Sequence, residues 1–243
     1  RLNIDALKRT LVLLLLVAMI GMGFGIGPAG RPYAFPALPT FPAMPLPKHT
    51  VTIEGVALGR RLFYDPILSA DSTIACASCH KQEHAFAAGT RFDTGMGGIA
   101  QPRNTLPLFN LAWAGSMFWD GRAASIEEQV FHPVRNAAEM NLPWAQAAQR
   151  LNGHHQYKAA FRQVFGTAAI DSTMVANVIG QFLRTLLSYR TLYDRVIQGL
   201  DTFDADQRTG YELANDMTRG DCLHCHPIDD VPLGTTFQFS NNG

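Results

Sequence analysis

From Val51 onward, apolar side chains recur at helical spacing in one segment after another. Glu54 to Tyr64 is predicted as a helix, and Ser125-Ile126-Glu127-Glu128 has the capping-box layout that opens another. Pro143 to Leu151 and His155 to Phe165 carry the same period. The clearest case runs from Ser172 to about Tyr189, where Val175, Ile179, Phe182 and Leu186 follow at spacings of four and three and predict one side against a core. A further helix is predicted over Asp206 to Met217. Strand-like alternation is scarce, so the expected fold is mainly α.

The first fifty residues follow a different pattern. Lys8 and Arg9 precede ten uninterrupted apolar residues, Leu11 to Ile20, then a glycine-rich stretch to Gly27 with no charge until Arg31. This is the layout of an export signal. The apolar run is shorter than the roughly 20 residues a spanning helix needs, which leaves a membrane anchor as the second reading of 1–27. Seven of the 14 prolines lie between Pro28 and Pro47, so 28–50 is predicted as a linker biased to polyproline II.

Composition adds two exclusions. Twenty Lys and Arg balance twenty Asp and Glu, without a basic block that could neutralise a run of phosphates, so nucleic acid is not an expected partner. Four cysteines are too few for a disulfide-stapled mini-protein, and all four fall in two Cys-x-x-Cys pairs, each followed by His.

Those pairs, Cys76-Ala77-Ser78-Cys79-His80 and Cys222-Leu223-His224-Cys225-His226, place two thiols and an imidazole on one side of a single helical turn. The arrangement suits covalent haem c: two thioether links to the porphyrin, with His80 or His226 coordinating iron. A zinc site built from the four cysteines and a pair of redox dithiols are the rivals. Neither explains a His directly after both pairs. Export agrees with haem c, because attachment takes place outside the cytoplasm. His84, His132, His154 and His155 sit in polar or turn-like surroundings and read as surface or hydrogen-bonded residues.

Further motifs run from Leu58 to His226: Leu58-Gly59-Arg60-Arg61-Leu62-Phe63-Tyr64-Asp65, Pro102-Arg103-Asn104-Thr105, Phe118-Trp119-Asp120-Gly121-Arg122-Ala123, Glu128-Gln129 and Glu139-Met140. In this order and with two haem motifs, the chain resembles the bacterial dihaem cytochrome c peroxidase family. That family includes the dihaem enzymes that mature the tryptophan-derived cofactor of methylamine dehydrogenase. The resemblance implies two cytochrome c-like α domains, here 51–200 and, beginning at 201–243, a second one truncated at the chain end. Hydrogen peroxide is expected to be reduced to water at the first haem, with electrons entering through the second from a small cytochrome c or copper protein. A periplasmic location and a homodimer are further expectations.

The resemblance also assigns roles. Glu139 matches the distal acid–base group, and a carboxylate beside an open iron position can take a proton from bound peroxide and return it to the leaving oxygen. Gln129 matches a polar residue of the same pocket, and Trp119 the aromatic between the haems. Arg122 suits a haem propionate or a surface ion pair. Asn104 matches a residue that helps bind an interdomain calcium ion. Where many of these peroxidases place a displaceable His, this chain reads Thr94-Gly95-Met96-Gly97-Gly98, so Met96 is either an axial ligand on a loop that swings away or a residue packed at the haem edge.

Two alternatives accompany the peroxidase reading: an enzyme that oxidises a partner protein through high-valent iron, and a non-enzymatic electron carrier with both irons permanently six-coordinate. The family continues beyond the second haem motif with that haem's distal ligand, so a fragment lacking both extremities is also expected.

Overall fold

The computed structural model describes residues 30–228 together with Gly234, and the expected export segment at 1–27 lies outside the described residues. Among them the elements are helical: α1 Ile53–Tyr64, the single turn α2 Cys76–Cys79, α3 Ile126–Arg135, α4 Trp144–Gly153, α5 His155–Phe165, α6 Ser172–Leu183, α7 Leu192–Ile197, α8 Ala205–Asn215 and the single turn α9 Cys222–Cys225. Extended pairing is limited among these residues to isolated bridges. The expectation of a mainly α fold holds.

The core forms where the apolar stripes of α1, α3, α4, α5 and α6 meet. Leu62, Phe63, Val134, Leu151, Tyr157, Phe161, Val175 and Val178 are all buried there, each stabilising the fold by about 1.5–3 kcal/mol relative to exposure. The closest approach is between α1 and α6. Gly59 faces the Val178 carbonyl and Gly55 faces the Gln181 side chain, and in both cases a Cβ would overlap these atoms. The buried polar groups at this crossing satisfy one another: the Thr52 N–H donates to Gln181 Oε1 at 2.9 Å, and Gln181 Nε2 donates to Asn177 Oδ1 at 2.7 Å.

The predicted helices appear with small shifts at their ends, and one is shortened. The helix expected to reach about Tyr189 stops at Leu183. Its next residue, Arg184, is buried and forms a two-pronged ion pair with Glu127 of α3 at 2.5 and 3.1 Å. The Leu186 carbonyl then accepts from the Asn110 N–H at 2.8 Å, which draws the backbone out of the helix. Helix α7 was not anticipated, although Thr191 and Asp194 form a capping box that marks its start.

The proline-rich stretch lies along the body rather than standing away from it. Tyr33 and Ile53 donate backbone hydrogen bonds to Val51 and Arg31, each at 2.9 Å, and Arg31 pairs with Glu54 at 2.9 Å. Further along, the Phe41 ring meets Trp113 with centroids 5.2 Å apart, and the Trp113 indole donates to the Pro42 carbonyl at 3.2 Å. The aromatics between the prolines fasten the segment to the body.

Between α1 and α3 the chain has only short turns, and Arg150 of α4 holds the stretch that leads into the first Cys pair. Its guanidinium donates to the carbonyls of Ile67, Ser69 and Ala70 and to Ser72 Oγ at 2.7–3.2 Å. Ser69 Oγ in turn accepts from the N–H groups of Thr73 and Ile74, both at 3.1 Å.

The α1–α6 crossing gives a direct test. Gly59→Ala is expected to lower stability by about 2–3 kcal/mol through overpacking against the Val178 carbonyl. Chemical denaturation of the matched proteins measures this, and an unchanged midpoint would contradict the close approach.

Candidate functional site: two haem-attachment turns and a half-buried carboxyl

In α2, Ala75 N–H donates to Ser78 Oγ at 3.0 Å and His80 N–H to the Cys76 carbonyl at 3.0 Å, which closes one turn around Cys76, Cys79 and His80. His80 Nδ1 lies 2.7 Å from the Phe86 carbonyl oxygen. A carbonyl only accepts, so this nitrogen carries the proton and Nε2 keeps its lone pair for a metal. The second motif repeats the geometry: His226 N–H donates to the Cys222 carbonyl at 2.9 Å, and His226 Nδ1 lies 3.1 Å from the Gly234 carbonyl.

The four thiols are free, and among the described residues no three His, Cys, Asp or Glu side chains gather as a metal cluster. The four cysteines therefore do not meet as a zinc site. Desolvation pushes the Cys76 thiol up to about 12 and the Cys79 thiol up to about 11. Paired thiols on one turn beside a Nδ1-protonated imidazole fit a covalently attached haem at both motifs.

Glu139 is positioned by the way α3 ends. Pro133 has no N–H for the Gln129 carbonyl one turn back. The chain then folds over the helix end, with Met140 N–H donating to the Pro133 carbonyl at 3.2 Å and Leu142 N–H to the Val134 carbonyl at 2.7 Å. Asn136 is the hub of this turn. Its carbonyl accepts from Glu139 and Asn141, its Oδ1 accepts from Ala138, and its Nδ2 donates to Glu139 Oε1 at 2.7 Å. Glu139 Oε2 has no hydrogen-bond partner among the described residues.

Burial raises the Glu139 carboxyl above its usual value, against smaller lowering effects from the Asn136 hydrogen bond and the Arg122 charge. The Glu139 charge in turn raises both the Cys76 and Cys79 thiols, so it lies within electrostatic reach of the first motif.

The Met96 loop is joined to the same turn. Met96 N–H donates to the Glu139 carbonyl at 2.9 Å, and Gln101 Nε2 donates to the Ala138 carbonyl at 2.7 Å. Gly95 lies flush against that carbonyl, with no room for a Cβ. The freedom expected of the whole loop is therefore confined to its tip, where Gly97 and Gly98 adopt φ of 64° and 73° in open surroundings.

The remaining candidates divide. Gln129 is half-buried on α3, on the same face as Pro133 and Asn136, and its amide has no hydrogen-bond partner among the described residues. Trp119 is 54% exposed, so it is not a core tryptophan. Its indole donates to the Asn104 carbonyl at 2.9 Å. Asn104 Nδ2 ties to the Thr90 and Arg91 carbonyls at 3.0 and 3.2 Å, so its amide hydrogens brace a loop. Arg122 forms an ion pair with Asp120 at 2.8 Å and lies 3.5 Å over the Phe118 ring. The second motif is more open: Cys222, Cys225 and His226 are exposed, beside a cavity of about 230 Å³ lined by Met217, Leu223 and His224.

Sequence reasoning missed Asn136, Gln101 and Arg150. For Asn136 a signal existed, since Asn just past a helix end commonly hydrogen-bonds its own backbone.

The fold and its two attachment turns define a mainly helical c-type cytochrome with two haem sites. The chain belongs to the di-haem cytochrome c peroxidase family, whose model matches residues 53–202. Membership implies two haem c groups. Among its relatives, the methylamine utilization protein MauG of Methylophilus methylotrophus is 31% identical over 186 residues, covering 76% of this chain and 56% of that protein. The cytochrome c peroxidase Ccp of Escherichia coli K12 is 34% identical over 188 residues, covering 76% of this chain and 40% of that protein. The crystal structure of a MauG-like protein associated with microbial copper homeostasis superposes with a TM-score of 0.76 at 27% identity, covering 85% of this chain and 62% of that one. The chain thus spans about half the length of the curated relatives it matches.

The raised carboxyl has a consequence for stability. Between the unfolded value near 4.5 and the higher folded value, the native state holds more protons than the unfolded one. Stability therefore falls as pH rises through that window. Glu139→Gln is expected to flatten this segment of the profile and to be the more stable protein above it. Melting temperatures from pH 4 to 8 read the difference, and parallel profiles would contradict a desolvated Glu139.

Proposed function

We propose that this protein is a periplasmic peroxidase that reduces hydrogen peroxide at its first haem, H2O2 + 2 H⁺ + 2 e⁻ → 2 H2O. The electrons enter from a small cytochrome c or copper protein through the second haem. A haem bound at Cys76 and Cys79 supplies the iron to which peroxide binds and through which the two electrons are delivered. The single observation that carries the reading is the Glu139 turn: a carboxyl with a raised pKa within electrostatic reach of Cys76 and Cys79, one oxygen held by Asn136 and the other free.

The protein's own groups divide the remaining work. Glu139 Oε2 would take a proton from one oxygen of hydrogen peroxide and return it to the other as that oxygen leaves as water. Holding Oε1 on Asn136 Nδ2 fixes the direction of the free oxygen, which saves reorganisation during the transfer. Gln129, with its uncommitted amide, orients peroxide or water. His80, with Nδ1 committed to the Phe86 carbonyl, would hold the iron through Nε2.

Met96 lies on a loop bonded to the Glu139 backbone, so ligation by its thioether or its release is coupled to the position of the acid–base turn. Trp119, half-exposed and fixed through its indole N–H, serves electron passage between the two haems. The Asn104 side-chain oxygen is available to the interdomain calcium that the family resemblance suggests. The export segment at 1–27 acts as a cleaved signal or an inner-membrane anchor, and the working unit is a homodimer. Among the described residues no helix is long and apolar enough to cross a membrane.

Glu139→Gln in haem-loaded protein is expected to keep both haems and lose peroxide turnover with a reduced small cytochrome by roughly 100-fold. Stopped-flow oxidation of the cytochrome, normalised to haem content, measures it. Undiminished turnover would remove Glu139 from the mechanism. Peroxide reaction that persists without cytochrome oxidation would favour oxidation of a partner protein.

A further inference from the structure

The first haem motif is followed by a tight loop, 81–87, with an unusual backbone. Ala85 and Phe86 both adopt left-handed conformations, with φ of 56° and 59°. One such residue bearing a Cβ is uncommon, and two in succession are rarer, because each Cβ crowds a neighbouring carbonyl. The loop is held in this state from several sides. Lys81 N–H donates to the Ala87 carbonyl at 3.0 Å, Phe86 N–H to the Lys81 carbonyl at 2.8 Å, and Ala87 N–H to the His84 carbonyl at 3.0 Å. The Phe86 ring meets buried Phe63 edge-on at 5.9 Å.

The arrangement delivers one atom to the site, the Phe86 carbonyl oxygen at 2.7 Å from His80 Nδ1. The second motif makes a similar contact without strain. His226 Nδ1 lies 3.1 Å from the carbonyl of Gly234, which has φ of 61° but no Cβ to oppose it. Asp221, before the second motif, is also left-handed at φ 48°, but the carbonyl that meets His226 comes from a glycine. The one that meets His80 comes from a strained pair, and strain kept at the ligand's own hydrogen-bond partner points to a function.

We propose that Ala85 and Phe86 are positioning residues whose tandem left-handed turn presses a carbonyl onto the His80 Nδ1–H and makes His80 a stronger electron donor to its iron than His226. The inference rests on haem attachment at Cys76 and Cys79 and goes beyond the peroxidase reading, in which His80 is the iron's ligand and nothing more. A close carbonyl draws the imidazole proton outward and raises electron density at Nε2, which favours the oxidised iron. The hydrogen bonds within the loop keep this carbonyl from relaxing away.

The test uses haem-loaded protein, with midpoint potentials for both haems and the resonance Raman iron–histidine band of the reduced first haem. Ala85→Val places a β-branched residue where a left-handed φ is hardest to adopt, and so displaces the Phe86 carbonyl. The expected result is a reduction equilibrium at the first haem displaced roughly tenfold towards reduced iron, a lowered iron–histidine frequency and an unchanged second haem. Ala85→Gly keeps the turn, and Phe86→Asn keeps a residue that tolerates it while removing the ring; both are expected to retain the parental potentials.

An unmoved potential and band in Ala85→Val with both haems attached would overturn the proposal. So would a shift in Phe86→Asn as large as that in Ala85→Val, because the ring rather than the carbonyl would then be responsible. Should Ala85→Val fail to hold haem, deuterium exchange in the parental protein decides: slower exchange at His80 Nδ1–H than at His226 Nδ1–H supports the proposal, and equal or faster exchange overturns it. Absence of attached haem in the parental protein would instead contradict the haem reading itself.

Discussion

A single helical turn cannot hold itself in place, and here two such turns carry all four cysteines. α2 has four residues and lies in a stretch from 65 to 125 without a longer helix. Forming a turn that short costs more backbone entropy than its few hydrogen bonds return. The first motif therefore depends on side chains that reach into loop backbone from stable helices. Arg150 holds the stretch before it, Asn136 the turn that carries Glu139, and Gln101 the loop between. These are charge-assisted or amide hydrogen bonds to carbonyls and carboxylates, individually worth about 1–3 kcal/mol, and together they replace the sheet or long helix that would otherwise fix such a site.

The helical body and the site thus divide the tasks of stability and chemistry. Apolar burial and the glycine-mediated approach of α1 to α6 stabilise the body. The first motif and its surroundings collect unfavourable features: a desolvated carboxyl at Glu139, partly desolvated thiols at Cys76 and Cys79, and left-handed backbone at residues that carry a Cβ. Of the left-handed residues that carry a Cβ, Ser72, Ala85, Phe86, Asn110 and Phe118 lie in the loop region around the first motif, Asn141 next to the Glu139 turn and Asp221 just before the second motif. Concentrating strain and desolvation near the expected iron is what a site held ready for proton transfer requires.

The chemistry was legible in the sequence wherever it was local. Two thiols and an imidazole within five residues define their own geometry, and the amphipathic stripes of α1 and α3 to α6 could be read from spacing alone. Glu139 was legible only through the motif it shares with a family, because its setting depends on Pro133, Asn136 and a loop some forty residues upstream. The early end of α6 follows from the burial of Arg184 against Glu127, a partner on another helix. Composition reads the proline-rich stretch as a linker but does not show its docking: Phe41, interleaved with the prolines, packs on Trp113. The proximal contact of His80 with Phe86 was invisible, since nothing in Ala85-Phe86 as letters announces a left-handed turn.

The whole account requires porphyrin joined through both sulfurs at each Cys pair. Peptide mapping by mass spectrometry of protein matured in an exporting host tests this most directly. The account predicts that the peptide spanning Cys76 to His80 and the peptide spanning Cys222 to His226 each carry one haem, with both thiols consumed. Recovery of either pair as free thiols, or as a disulfide, would contradict it.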